Sequence, residues 1–240
     1  MKILVLGHTG LLGHMVKKYL EVNGYNVLVI NGRWPDPDFK EKIKSTECDY
    51  IINCIGAIHQ RTKVFDLNWE IPIWLDLNVK CKVIHPGTDC EMDDDDYGVS
   101  KRVAANYILT SGVRTKMIKT SILGPELNGN SSLMSWFLSR PAGSEVNGYD
   151  SYYWNGNTTL TWAKTCESLI NDWDTHPTQT IIGSECISKC QILVALKEVH
   201  NLDINITPTN EVVANKCLIP TIKTPHIKQQ LIELKEFYES

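Results

Sequence analysis

Three glycines spaced three apart, Gly7, Gly10 and Gly13, punctuate the run Met1-Lys-Ile-Leu-Val-Leu-Gly-His-Thr-Gly-Leu-Leu-Gly-His14. An apolar, strand-like stretch from Ile3 to Leu6 precedes them. A helical pattern follows at once, with Leu11, Leu12, Met15, Val16, Tyr19 and Leu20 on one stripe. A strand that turns into a helix through glycines lets backbone N–H groups approach a pyrophosphate at the positive end of the helix. The glycines are weak evidence alone; their place between a strand and a helix is what gives them weight.

The first half alternates strand and helix patterns, which implies a parallel sheet. Strands are predicted over 2–6, 26–30, 49–54, 81–85 and 115–120, and helices over 11–22, 37–45, 68–79 and 97–110. The run Asp49-Tyr-Ile-Ile-Asn-Cys54 is apolar enough for burial on both faces. After Gly124-Pro125 the texture changes to longer loops rich in Asn, Gly and Ser, with Trp and Tyr clustered between Trp136 and Trp162. A helix from 160 to 173, a short strand after 181, a helix near 189–199 and a charged helix near 225–238 complete the reading. The expected fold class is α/β, a Rossmann-type doubly wound parallel sheet with a smaller C-terminal substrate-binding lobe. Residues 1–124 form the dinucleotide-binding domain, segments such as 158–182 return to it, and 125–240 mainly form the lobe.

Tyr97 and Lys101, four apart at the start of a predicted helix, project from one helix face. An ammonium beside a phenol favours the phenolate and lowers its pKa. The phenol can then exchange a proton with a carbonyl or alcohol near neutral pH. Thr88, at the end of the preceding strand, can hydrogen-bond a reacting carbonyl oxygen. Asn68 starts the helix before that strand.

The pieces Gly-His-Thr-Gly-Leu-Leu-Gly13, Ile-Asn-Cys-Ile-Gly56, Asn68 with Pro72, Thr88-Asp-Cys90, Tyr97-Gly-Val-Ser-Lys101, Thr120-Ser-Ile-Leu-Gly-Pro-Glu126 and Trp154-Asn-Gly-Asn-Thr-Thr159 follow one another in order. Over roughly residues 1–200 this series resembles the extended short-chain dehydrogenase/reductases, in their sugar-nucleotide reductase branch of dTDP-4-dehydrorhamnose reductase-like enzymes. The resemblance implies that Thr88, Tyr97 and Lys101 are catalytic. It implies that Gly7, Thr9, Gly10, Leu11, Leu12, Gly13, Asn31, Arg33, Cys54, Ile55, Gly56, Asn68, Tyr97, Lys101 and Thr120 hold a nicotinamide cofactor. The implied substrate is a nucleotide-linked 4-keto-6-deoxy sugar, touched by Thr88, Asp89, Trp136, Trp154 and Asn155. A role in dTDP-rhamnose and polysaccharide biosynthesis and assembly as a homodimer also come with the resemblance. Three departures stand out. The segment from Thr88 to Tyr97 is short, Gly87 replaces a small hydroxyl residue, and Val103-Ala-Ala-Asn106 replaces a Gly-Glu ending. Two other activities fit the same scaffold: an epimerase or dehydratase with retained NAD, and a cofactor-binding subunit without turnover.

Arg33 follows the second strand, where a carboxylate would bind the ribose hydroxyl of NAD and an arginine suits the 2′-phosphate of NADP. NADPH is therefore the expected cofactor, with NADH as the alternative. Asp93 to Asp96 precede Tyr97 directly. They read as a helix cap and N-terminal charge rather than a Mg²⁺ site, and no metal is expected. His8 and His59 lie beside cofactor segments and read as loop histidines. A net charge of −4 speaks against nucleic-acid binding. No apolar run approaches the roughly 20 residues of a membrane helix, and the N-terminus lacks a leader pattern. A cytoplasmic protein is expected, with its eight cysteines reduced.

Overall fold

The structure is a computed structural model and describes residues 1–239. It divides into two compact units, Met1–Lys119 with Ala163–Thr180 and Thr120–Trp162 with Ile181–Ser240. In chain order the first segment holds β1 (Lys2–Leu6), α1 (Leu11–Val22), β2 (Asn26–Leu28), α2 (Pro37–Ser45), β3 (Tyr50–Asn53), α3 (Leu67–Asn78), β4 (Lys82–Gly87), α4 (Asp96–Thr110) and β5 (Thr115–Lys119). There follow β6 (Ile122–Leu123), α5 (Leu133–Leu138), β7 (Ser144–Tyr149), β8 (Tyr152–Trp154), β9 (Asn157–Thr158) and α6 (Thr159–Asn171). The chain ends with β10 (Gln179–Gly183), β11 (Ile187–Ser188), α7 (Lys189–His200), β12 (Ile204–Thr209), β13 (Ala214–Asn215), β14 (Ile222–Lys223) and α8 (Ile227–Glu239).

A seven-stranded sheet runs in the order β14-β10-β5-β4-β3-β1-β2, with helices on both sides. The fold is thus α/β and Rossmann-type. The pairs β2–β1, β1–β3, β3–β4 and β4–β5 are parallel. Every residue of β3 is buried, as a central parallel strand covered on both faces requires. The core of the first unit gathers Leu4, Leu6, Phe39, Ile43, Ile51, Ile71, Leu75, Val79 and Val83. The second strand stops at Leu28 rather than 30, because its ladder covers only Lys2 to Leu4 of β1. Parallel strands put all their C-terminal ends at one edge, so the turns after β1, β3 and β4 meet there.

In the second unit, β7 and β12 pair in parallel from Ser144 opposite Ile204 to Tyr149 opposite Thr209. A second small sheet sets β8 between β11 and β13. Cys186 and Cys217, 31 positions apart in sequence, form a disulfide in this unit. The expectation of eight reduced thiols is corrected here: spacing along the chain could not show that the loop after β13 returns to the start of β11. The other six cysteines are free. No helix among the described residues is long and apolar enough to cross a membrane.

Candidate active site

The glycine turn is built as its spacing demands. Gly7 has φ +73°, a left-handed conformation that glycine adopts without strain. A Cβ there would stand 2.9 Å from the Cys54 carbonyl carbon, so the turn lies directly against the end of β3. Gly10 caps α1 with no side-chain bond to the first turn, and that turn carries no acidic residue. Leu11 and Leu12 therefore open a helix whose first N–H groups have no intrahelical acceptor and whose field favours an anion. Thr9 lies within the same turn, and Gly13 packs so closely on Gly7 that no side chain fits.

After β3, Asn53 accepts the Ile55 N–H at 3.2 Å and pairs with the buried His85 ring at 3.1 Å. Burial and the nearby Lys101 charge push His85 well below the usual histidine range, so it stays neutral. Cys54 has its thiol pushed up by burial. Asn68, only 1% exposed, accepts the Ala57 N–H at 2.8 Å and donates to the Ala57 carbonyl at 3.1 Å. It also donates to Ser100 Oγ at 3.1 Å, and Ser100 in turn donates to the Tyr97 carbonyl at 2.7 Å. One amide thus ties the loop after β3, which holds Gly56, to the first turn of α4.

Thr88 directly follows β4 and is buried. Its hydroxyl donates to Asp89 Oδ1 at 3.0 Å and accepts the Cys90 N–H at 3.2 Å. Glu91 accepts the Thr88 N–H at 3.0 Å and the Lys119 ammonium at 2.6 Å, an ion pair whose side chains are 5% and 12% exposed. Asp95 caps α4, accepting the Gly98 N–H at 2.7 Å, which gives the acidic run its capping role. Asp94 pairs with Arg102. Among the described residues no group of three His, Cys, Asp or Glu side chains is placed to hold a metal.

Lys101 donates to the Pro86 carbonyl at 3.2 Å, and burial lowers its ammonium to about 8. The phenol of Tyr97 behaves differently from expectation. Burial first, then the neighbouring Cys90 and Asp89, push it up, while a hydrogen bond with Thr88 pulls it down. The expected lowering by Lys101 is overturned because desolvation penalises the phenolate more than the bond to Thr88 favours it. His59 and Phe65 wall the Tyr97 ring at centroid distances of 5.1 and 5.7 Å, and His59 Nε2 lies 3.2 Å from Asp95 Oδ2.

Asn31 and Arg33 sit exposed in the loop between β2 and α2. The remaining candidates belong to the second unit. Thr120 is buried and accepts from Asn157 Nδ2 at 2.8 Å. Trp136 lies on α5 with the Arg140 guanidinium 4.9 Å from its ring centroid. Trp154 is buried and its indole covers Gly156. Asn155 spends both ends of its amide on the Leu218 backbone, at 2.8 and 2.9 Å, which is a structural use of a side chain expected at substrate.

Glu91, Ser100, His59 and Phe65 were not singled out as site residues by the motifs. Thr88-x-x-Glu91 is a capping-box pattern, and the box is present, so this signal was available for Glu91. His59 was marked only by its place beside a cofactor segment, and nothing local marks Ser100 or Phe65.

No protein-family model and no curated protein matches the chain. Solved structures do. A dTDP-4-dehydrorhamnose reductase from Clostridium acetobutylicum is 18% identical over 100% of both chains, with a TM-score of 0.68. One from Bacillus anthracis, in complex with NADP, is 14% identical over 100% of this chain and 99% of that one, with a TM-score of 0.74. A dTDP-glucose 4,6-dehydratase from Bacillus anthracis, in complex with NAD, is 14% identical over 100% and 96%, with a TM-score of 0.70. The chain shares their fold.

Proposed function

We propose that the chain is an NADPH-dependent reductase of a nucleotide-linked 4-keto-6-deoxy sugar. The observation that carries this reading is the gathering of Thr88, Tyr97 and Lys101 behind β4, at the same sheet edge as an uncapped, acid-free glycine turn behind β1. Such a turn fits the pyrophosphate of a dinucleotide. Leu11 and Leu12 would meet it with backbone N–H groups, and Arg33 would pair with a 2′-phosphate. Bound NADPH supplies the hydride. Tyr97 Oη gives its proton to the carbonyl oxygen, and Thr88 Oγ1, turning its proton away from Asp89 Oδ1, would hold that oxygen by a second hydrogen bond. Lys101, fixed by the Pro86 carbonyl, would hold the cofactor ribose. Asn68 and Ser100 keep the start of α4 in register with the loop that holds Gly56.

NADPH oxidation against a panel of nucleotide-linked 4-keto sugars tests the reading. Tyr97→Phe is expected to lower turnover by ~10²–10⁴ while leaving NADPH binding nearly intact, since only the proton donor is lost. A Phe variant with near-normal kcat would refute the assignment. Asp89, buried against the Thr88 hydroxyl, supplies a second acid or base and favours an alternative, an epimerase or dehydratase with retained NAD. Release of NAD from the denatured, freshly purified protein would select that alternative. Failure to bind either nucleotide would remove both.

A further inference from the structure

At the opposite end of the same sheet, two thiols meet. Cys48 precedes β3 and Cys81 precedes β4, and their sulfurs lie 3.6 Å apart. Both side chains are only half-buried. They open into a cavity of about 640 Å³ lined with Met1, Asp49, Tyr50, Lys80 and Lys82. The strands pair with Tyr50 opposite Lys82, which sets Cys81 opposite Asp49 and one residue off Cys48. At a strand spacing of about 4.8 Å and a rise of about 3.3 Å per residue, that diagonal is about 5.8 Å between Cα atoms. A disulfide spans roughly 4.4–6.8 Å between Cα atoms, so the backbone already has the right separation.

We propose that Cys48 and Cys81 are a redox-active dithiol that exchanges with low-molecular-weight anionic disulfides of the glutathione class. The observations are the sulfur contact, the register that permits closure, and a solvent-open cavity carrying two lysines. The charge distribution agrees with an attacking role for Cys81. A hydrogen bond from Cys48 and the Arg114 guanidinium hold the Cys81 thiol below its usual range, whereas Cys48 is pushed up. Cys81 Sγ, as thiolate, attacks one sulfur of the disulfide and expels a thiolate. The Cys48 thiol passes its proton to that leaving group. Cys48 Sγ then attacks Cys81 Sγ, forming the Cys48–Cys81 bond and releasing the second thiolate. Two protein thiols are oxidised and one disulfide is reduced to two thiols. The pair lies away from the glycine turn and from Tyr97, so the inference stands apart from the proposed reductase activity.

The experiment incubates the full chain in glutathione buffers of stepped oxidised fraction, quenches with iodoacetamide, and maps peptides by mass spectrometry. A Cys48–Cys81 linked peptide is expected to grow with the oxidised fraction. In the unmutated, reduced chain, Cys81 is expected to alkylate at least tenfold faster than Cys48. Cys48→Ser should trap glutathione on Cys81, and Cys81→Ser should leave Cys48 unmodified over the same time. Absence of the linked peptide at every ratio would overturn the proposal. Equal alkylation of Cys48 and Cys81, or equal glutathione uptake by the two variants, would overturn it as well.

Discussion

The charge on Lys101 sets a pH limit that the motif spacing does not reveal. Burial brings its ammonium down to about 8, against the pull of Glu91 and Cys90. An ordinary lysine is about 97% charged at pH 9, whereas one titrating near 8 is about 10% charged. Within the proposed reaction the charged form holds the cofactor ribose. The kcat/KM for NADPH reports the groups of the free enzyme, so it should fall about tenfold per pH unit above roughly pH 8. Tyr97 is pushed up by burial and keeps its proton throughout, so it adds no limb of its own in this range. Lys101→Met should abolish the limb and leave a low, pH-independent residue of activity. Stability should carry the same signature. Between about 8 and 10.5 the unfolded chain binds more protons than the native one, so native stability rises with pH through that window. Relative to Lys101→Met, the unmutated chain should gain on the order of 3 kcal/mol across it, read as the difference between their denaturant midpoints at pH 7 and 11. An alkaline limb lying beyond pH 10, or a stability difference that does not change with pH, would refute the reasoning.

Arg33→Ala should reduce the preference for NADPH over NADH through NADPH affinity alone, checked by titration of both nucleotides; equal affinities in the unmutated chain would contradict the assignment. Asp95→Ala should cost about 0.5–2 kcal/mol of stability through the lost cap on Gly98 N–H, read from the melting curve, while turnover survives EDTA. Replacing Cys186 and Cys217 by Ser frees a loop of 31 positions, and loop-closure entropy puts the cost at about 3–4 kcal/mol, measured as a shift of the urea midpoint.

The first unit was legible because its signals are local. Ile3 to Leu6, Tyr50 to Asn53 and Val83 to His85 are short apolar runs bounded by helices, and parallel pairing of such runs needs no further information. The helix α4 announced itself by the spacing of Tyr97 and Lys101, and its start at Asp96 follows from the Asp95 cap. The second unit was less legible, since its strands find partners far away in sequence. Ser144 pairs with Ile204 and Trp154 with Ile187, and neither strand contains its partner's address. The same holds for Cys186, and for Glu91, whose cation Lys119 is supplied by a neighbouring strand. Asn155 was expected at the substrate, and its structural use is not visible locally because Leu218, which takes up both ends of its amide, is 63 residues away.

The direction of Tyr97 is where spacing and environment part. A Tyr–Lys pair read from sequence suggests a phenol eased toward the phenolate. In the structure Lys101 is committed to the Pro86 carbonyl and is itself made less basic by burial. Two acids, Asp89 and Glu91, act on the phenol. The charge of Glu91 is taken up by Lys119 at 2.6 Å. Asp89 accepts from the Thr88 hydroxyl at 3.0 Å and from the Cys90 thiol at 3.7 Å. Both acids raise the phenol, and the bond to Thr88 does not reverse the balance. A catalyst of reduction must deliver a proton, whereas one of oxidation must first lose it. A phenol whose pKa is raised by desolvation and by Asp89 keeps its proton at neutral pH, as the donor role proposed for it requires.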